Sequence, residues 1–467
     1  MKKQIVFIFA LFVSTALFSQ SPVGSWNGLL KVQGQQLRLV INIQQAENGY
    51  KATMDSPDQG AKGIPVDRVT FVNDTLKFEV KMIGVTYTGV LGSDNVIKGT
   101  FTQMGMSLPL DLSIVEVKKE KVVRPQEPKE PFPYLSEEVK FINKVDGDTL
   151  AGTLTLPAKK GKYPVVVLIT GSGPQNRDEE LMGHKPFLVI ADYLTRNGIA
   201  VLRYDDRGTA QSTGDFQKAT SVDLANDAEA AVSYLLTRKE INKKKIGLIG
   251  HSEGGIIAPM VAARNRKVAF IVMLAGPGLR GDKLLLLQQK AISKASGVEE
   301  SAVLENEKLN APLFQEIINS TDTINLRTDL TRILEKSLNE NTALKEKLSE
   351  EQINDMVKST VLQLMSPWMQ YFIKYDPFPT LRKVKCPTLA LNGSKDLQVP
   401  PAENLALIRK AFTDSGNKKL TAVELPGLNH LFQECTTGSP AEYAKIEQTF
   451  SPKALDEILK FIRQQVK

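Results

Sequence analysis

The stretch that decides the reading is Lys245-Ile246-Gly247-Leu248-Ile249-Gly250-His251-Ser252-Glu253-Gly254-Gly255-Ile256-Ile257-Ala258. Its first half is apolar on both faces, as a strand buried in a parallel sheet must be. Its second half is a run of small and helix-compatible residues. A serine on a sharp strand-to-helix turn needs a strained backbone, and small neighbours two positions either side keep Cβ atoms from colliding while the hydroxyl projects above the sheet. Gly250 and Gly254 occupy those two positions. The helix that begins beside Ser252 also aims backbone N–H groups and a positive dipole end at whatever the hydroxyl attacks. A Gly-x-Ser-x-Gly pattern alone arises by chance in a modest fraction of chains of 467 residues, so the strand and helix around it carry the argument.

A serine hydroxyl is a poor nucleophile until a positioned base removes its proton, and imidazole titrates in the right range. The chain has three histidines, His184, His251 and His430. On such a turn the side chain of His251 should point away from the substrate side and give packing support. His184 precedes the nucleophile in a charged loop and reads as a rim or hydrogen-bonding residue. His430 lies in Pro426-Gly427-Leu428-Asn429-His430-Leu431-Phe432, directly after an apolar strand at Leu420 to Leu425, where a loop delivers it to the sheet edge that carries Ser252. An acid must hold that imidazole in one tautomer. Asp396, in Asn392-Gly393-Ser394-Lys395-Asp396, emerges at the same edge. The tetrahedral oxyanion requires preorganised donors. The expected pair is the N–H of Glu253 and that of Ser172, in Thr170-Gly171-Ser172-Gly173-Pro174, with Gly171 as the alternative for the second.

Working outward, strands at Glu137 to Val145 and Thr149 to Leu156 form a hairpin across Asp146-Gly147-Asp148. Buried strands follow at Tyr163 to Thr170, Ile199 to Tyr204, Lys245 to Gly250, Val268 to Ala275 and Thr388 to Asn392, with helical patterns at Phe187 to Arg196, Val222 to Arg238 and Gly254 to Arg264. Lys243, Lys244 and Lys245 read as a solvated turn before their strand. The class is a mixed, mostly parallel α/β sheet with helices on both faces, spanning 137–467. Residues 280–383 are helical throughout and interrupt the strand alternation. An insertion there lies over the crevice where open α/β sheets bind ligands, which makes it a candidate cap.

Ahead of this lie three other segments. Lys2 and Lys3 precede an apolar run from Ile5 to Phe18, too short for a span of ~20 residues and suited to a signal-peptide core. Residues 1–20 are therefore expected to be removed, with the mature chain exported to the periplasm or beyond the cell and left without a membrane span. Residues 21–117 show about eight short alternating runs separated by turns, the pattern of a small all-β barrel-like domain, opened by Gly24-Ser25-Trp26. That tripeptide resembles the start of lipocalin-like barrels, though an ordinary core tryptophan closing a barrel end is the preferred reading. Pro125, Pro128, Pro131 and Pro133 within 118–136 suggest a semi-rigid linker.

Composition excludes several classes. The formal charge of +7 falls to 7 − 2 = +5 without Lys2 and Lys3, which is too mild to argue for nucleic acid. Three scattered histidines and two distant cysteines do not suggest a metal site, and no cofactor fingerprint is present. Cys386 precedes the strand Thr388 to Asn392 while Cys435 follows a loop at its far end. A strand of five or six residues spans ~17–20 Å, whereas a disulfide needs Cα atoms within ~7 Å, so two free thiols are expected.

From about Glu137 onward the chain resembles the α/β-hydrolase superfamily. Thr170 to Asp178, Arg203-Tyr204-Asp205-Asp206-Arg207-Gly208, the Ser252 segment and Asn429-His430-Leu431-Phe432 are similar to exported bacterial hydrolases described as serine aminopeptidase-like or acyl esterase-like. The resemblance implies a Ser–Asp–His hydrolase with a helical cap. The chain departs from the pattern at Thr170, where many relatives carry the histidine of a His-Gly pair. Asp205, Asp206 and Arg207 read as loop-shaping ion pairs.

Substrate contacts are expected from His184 and Arg177, and from Trp368 and Tyr371 in the cap, with Asp178, Glu179 and Glu180 as an acid cluster for a substrate amine. The leading expectation is a carboxylesterase acting on small-molecule acyl or aryl esters. Two alternatives stand beside it: an aminopeptidase acting on short peptides with the same triad, and a non-catalytic carrier in which the barrel holds a ligand.

Overall fold

The computed structural model describes residues 21–32, 35–103, 106–118, 124–341 and 349–467. The expected signal segment, 1–20, and part of the proline-rich stretch lie outside the described residues. The chain divides into two compact units, Met1–Lys121 and Val122–Lys467. Among the described residues no helix is long and apolar enough to cross a membrane.

The first unit is a curled antiparallel sheet of ten strands between Gly24 and Ser113. Among the described residues its edge strands, Ala61–Pro65 and Arg68–Val72, do not pair with each other, so the barrel-like domain expected from about eight runs is a half-barrel of ten described strands. Its interior is filled by side chains that include Trp26, Ile41, Phe78 and Tyr87. The indole of Trp26 donates to Pro22 O at 2.7 Å, the behaviour of a core tryptophan closing one end.

The second unit holds eight strands: β1 (Leu135–Ile142), β2 (Thr149–Leu156), β3 (Tyr163–Ile169), β4 (Ala200–Tyr204), β5 (Ile241–His251), β6 (Val268–Leu274), β7 (Thr388–Gly393) and β8 (Leu420–Leu425). Their order across the sheet is β1-β2-β4-β3-β5-β6-β7-β8. β1 and β2 are antiparallel, and β4, β3, β5, β6, β7 and β8 run parallel. Alternation along β3 shows why both faces must be covered. Val165, Val167 and Ile169 enter a core with helices Ser221–Leu235 and Gly254–Arg264, while Val166 and Leu168 enter the opposite core with helices Pro186–Arg196 and Pro452–Gln465. Lys243, Lys244 and Lys245 lie inside β5 and not in a turn before it. Lys243 and Lys244 are exposed, so the strand extends beyond its covered part.

Between β6 and β7 the described chain is helical: Gly281–Ala295, Glu300–Asn319, Thr323–Glu340, Glu350–Leu364, Pro367–Lys374 and Pro377–Leu381. This cap has its own apolar core, with Leu313, Leu330 and Val361 among its buried members. The proline-rich stretch departs from the linker expectation. Arg124 is buried and hydrogen-bonded within the second unit, and β1 already begins at Leu135.

Candidate active site

β5 delivers Ser252 to the sheet's C-terminal edge. The turn is strained, with φ +53° at Ser252, a conformation that L-residues adopt at a cost of ~1–3 kcal/mol. The glycines make it possible. A Cβ at Gly250 would lie 1.8 Å from Gly254 O, and one at Gly254 would lie 2.2 Å from Ile169 O. Ser252 N–H donates to Leu274 O at 2.8 Å, which ties the turn to β6.

His430 and Asp396 arrive from the loops after β8 and β7. His430 Nδ1 lies 2.8 Å from Asp396 Oδ2. Asp396 Oδ1 accepts from the N–H groups of Gln398 and Val399, each at 2.8 Å, and Asn392 Nδ2 donates to Oδ2 at 3.3 Å. Both members of the pair are buried. Since the carboxylate takes Nδ1–H, the other ring nitrogen is left to accept a proton. His430 and Ser252 line one cavity of about 340 Å³. No hydrogen bond joins Ser252 Oγ to the ring among the described residues. Such bonds are often long until substrate is bound.

The loop expected to supply oxyanion donors is equally well defined. Gly171 N–H donates to Glu179 Oε1 at 2.9 Å, so the alternative donor considered from the sequence is already engaged. Ser172 N–H and Glu253 N–H have no acceptor among the described residues. Both residues flank Ser252. The support that a His-Gly histidine would give this loop comes from elsewhere: Thr170 Oγ1 donates to Asp206 Oδ1 at 2.8 Å, and Asp206 Oδ2 accepts from Gln175 N–H at 2.9 Å.

Expected to point away from the substrate side as packing support, His251 instead lines the same cavity as Ser252 and is more than packing. Its Nδ1 lies 2.9 Å from Glu179 Oε1 and its Nε2 lies 3.0 Å from His430 O. A carbonyl and a carboxylate can only accept, so each ring nitrogen donates. Burial disfavours the resulting charge, but the Glu179 carboxylate, with the His430 carbonyl and Asp396, outweighs it and raises the pKa above the ordinary value. The carboxyl of Glu253, next to Ser252, is pushed up, chiefly by burial. It accepts from Ser221 Oγ at 2.6 Å, from Trp368 Nε1 at 2.9 Å to each oxygen, and from the Ser172 hydroxyl.

Of the expected substrate contacts, the structure places Trp368 on the cavity and the other three elsewhere. His184 is fully buried between Thr449 Oγ1, 3.0 Å, and Tyr443 O, 2.9 Å, and burial drives its pKa down to about 4. Arg177 is spent on Asp205, 2.7 Å, and on Glu138, the long side chain being drawn back to β1. Tyr371 faces a separate groove beside Met260 and Arg264. Of the acid cluster, Asp178 pairs with Arg203, Glu179 pairs with His251, and Glu180 is an exposed side chain 3.9 Å from Lys185 Nζ. Asp205 and Arg207 do form ion pairs, but with Arg177 and with Asp227 and Asp146 and not with each other. Phe372, one of the cap aromatics at helical spacing, lines the cavity too, and sequence reasoning misses Leu284, Leu285 and Gln398, which also line it. The unbroken Leu284 to Leu287 run, wider than one helix face requires, is the signal that could have found the first two.

Cys386 and Cys435 are both free. Among the described residues no cluster of three or more His, Cys, Asp or Glu side chains is placed to hold a metal ion.

The strand order, the strained Ser252 turn and the histidine and acid loops at one edge define an α/β-hydrolase, with the N-terminal half-barrel as a separate unit. More particularly, residues 146–420 match the family described as X-Pro dipeptidyl-peptidase (S15 family), and the chain belongs to that family. By that membership it is an enzyme of the serine-hydrolase class. The esterase EstD of Thermotoga maritima is 27% identical over 319 residues, covering 67% of this chain and 65% of its own length; this chain thus spans somewhat under two thirds of that relative. Among solved structures, an esterase of Pyrococcus furiosus is similar with TM-score 0.44 and 15% identity, covering 75% of this chain and all of its own. The α/β hydrolase GrgF of a Penicillium species is similar with TM-score 0.43 and 16% identity, over 71% of this chain and 99% of its own.

Proposed function

We propose that the protein is an exported serine hydrolase that cleaves neutral acyl or aryl esters through an acyl-enzyme. Ser252 Oγ attacks the ester carbonyl carbon while His430 takes its proton, and Asp396 holds the ring and stabilises its protonated form. The N–H groups of Ser172 and Glu253 receive the oxyanion. Collapse breaks the carbonyl carbon to leaving-oxygen bond, and His430 returns the proton to the departing alkoxide or phenoxide. Water then repeats the sequence on the acyl-enzyme, releasing acid and restoring Ser252. Export rests on the basic and apolar opening of the sequence.

The observation that carries the ester reading is the charge of the cavity wall. Leu284, Leu285, Phe372 and Leu431 face it, and the one carboxylate that lines it among the described residues, Glu179, is committed to His251 and Gly171 N–H. An aminopeptidase needs a counter-charge for the substrate ammonium, and among the described residues no uncommitted carboxylate lines that wall.

Nitrophenyl esters, aminoacyl anilides and dipeptidyl-prolyl anilides offered to the mature chain test the reading. Ester turnover is expected to dominate and to fall by about 10⁶ in kcat for Ser252→Ala. Strong turnover of anilides alone would transfer the machinery to a peptidase. A folded chain that fails to label with a fluorophosphonate would revive the carrier alternative.

A further inference from the structure

We propose that Arg124, from the proline-rich stretch before the sheet, is a positioning residue that staples together the two loop systems flanking the catalytic groups. This rests on the triad reading above. The side chain is buried, yet none of its hydrogen-bond partners is a carboxylate. Its guanidinium is instead caged by four main-chain carbonyls. Nε donates to Gly183 O at 3.2 Å, Nη2 to Met182 O at 3.2 Å and to Ala444 O at 2.9 Å, and Nη1 to Ile446 O. Burying a cation with no counter-charge in contact is expensive unless its donors are satisfied, and a cage this complete marks a built site. Two residues on, Gln126 extends it: Oε1 accepts from Thr449 N–H at 2.6 Å and Phe450 N–H at 3.0 Å, and Nε2 donates to Phe450 O at 2.7 Å.

The carbonyls belong to two segments that reach opposite sides of Ser252. Met182 and Gly183 close a tight hairpin between Leu181 and His184. Leu181 lines the cavity, and Glu179 just upstream holds both His251 and the Gly171 N–H of the oxyanion loop. The other segment, 443–450, leads to the acid and the histidine. Tyr443 OH accepts from Gln398 Nε2 at 3.1 Å, and Gln398 N–H donates to Asp396. Gln448 O accepts from Gln433 Nε2 at 3.1 Å, while Leu431 N–H and Gln433 N–H, both just after His430, share the Oδ1 of Asn429 just before it. His184, neutral and buried between the two segments, completes the joint.

Arg124 therefore fixes the distance between the oxyanion donors and the imidazole, though it touches neither substrate nor triad. Lysine cannot replace it, since a single ammonium lacks the planar fork that reaches four acceptors.

The test uses the full chain with nitrophenyl ester as substrate. Active sites are counted by fluorophosphonate labelling, so that kcat refers to folded protein. Arg124→Ala should lose about 10- to 100-fold in kcat, the scale of a small misplacement of reacting groups, with KM within about twofold. Millimolar guanidinium chloride, compared with sodium chloride at equal ionic strength, should return part of that kcat by refilling the carbonyl cage. A kcat per labelled site equal to the parent's, or a loss that guanidinium leaves unchanged, overturns the proposal. If Arg124→Ala does not fold, Arg124→Lys and Gln126→Ala carry the test. Each should lose kcat at constant KM, and parental kcat in both refutes it. Ester turnover that is present in the parent and absent in Ser252→Ala establishes the triad independently, so failure of the Arg124 variants alone falls on the staple.

Discussion

Replacing Gly254 by alanine separates two ways of reading the Ser252 turn. Gly254 is the first residue of its helix, and by helix propensity alone alanine should stabilise by up to ~1 kcal/mol. The structure predicts the reverse. A Cβ there lies 2.2 Å from Ile169 O and 2.7 Å from Thr170 O, both backbone atoms, whereas ordinary contact begins at 3.4 Å. The helix start and the end of β3 must therefore separate by 3.4 − 2.2 = 1.2 Å, and β3 runs directly into Gly171 and Ser172. A shift of that size between nucleophile and oxyanion donor is expected to lower kcat by about 10²-fold. Forcing an extra methyl into a packed site should also cost ~1–3 kcal/mol, seen as a lower thermal midpoint. Gly297→Ala is the control, since that glycine has φ +75° but no atom within 4 Å of its Cβ position. It should lose stability by about 1 kcal/mol and keep its kcat. Steady-state ester hydrolysis and thermal melts on both variants decide the matter. Gly254→Ala with kcat within about threefold of the parent would refute the argument that this glycine is there for the approach of β3.

Two further outcomes follow from the buried polar groups. Trp368→Phe keeps an aromatic wall but removes the N–H that reaches both oxygens of Glu253, leaving that carboxyl short of a donor at a cost of ~1–3 kcal/mol. The freed wall should raise kcat/KM for longer over shorter acyl chains by about tenfold, the value of roughly two buried methylenes, and an unchanged chain-length profile counts against Trp368 as the wall. His184 is held neutral by burial, with a pKa of about 4 against about 6.5 in the unfolded chain. Between those values the unfolded chain binds more protons, so this residue's contribution to stability is intact above about pH 6.5 and is lost as pH falls toward 4, by an upper bound of about 3 kcal/mol. In a proton NMR titration its ring resonances should stay flat from about pH 7 to about pH 5, and a midpoint near 6.5 would show the ring to be open to solvent.

The parts of this molecule that are legible in sequence are those whose physics is local. A strand buried on both faces announces itself by continuous apolar residues, and β3 and β6 fall within one residue of where the pattern puts them. The Ser252 turn is readable because its steric demand falls on residues two positions away. His430 and Asp396 are traceable because each directly follows a recognisable strand, and a parallel strand's end fixes the edge at which the next residue emerges. The half-barrel is readable as alternation but not in closure, because whether Ala61–Pro65 pairs with Arg68–Val72 depends on curl accumulated over ten strands.

What escapes is everything decided by the partner of a charge. Arg177 and His184 are polar residues near a catalytic loop, and sequence neighbourhood suggests a substrate. The partners they find instead are Asp205, 28 positions away, and Thr449, 265 positions away. The same blindness cuts the other way for His251 and Arg124. In sequence His251 reads as packing, whereas in the fold it is a doubly donating ring that ties Glu179 to the His430 backbone. Arg124 reads as one more cation in a solvated, proline-rich stretch. Proline content does describe the extended local backbone there, but local geometry says nothing about where so long a side chain ends. A buried guanidinium needs acceptors from segments that the fold alone brings together, and here they lie 58 to 322 positions along the chain. Buried polar groups of this kind are set by tertiary structure, whereas Ser252, His430 and Asp396 are each set by the strand they follow, and that difference is why one set can be read in advance and the other cannot.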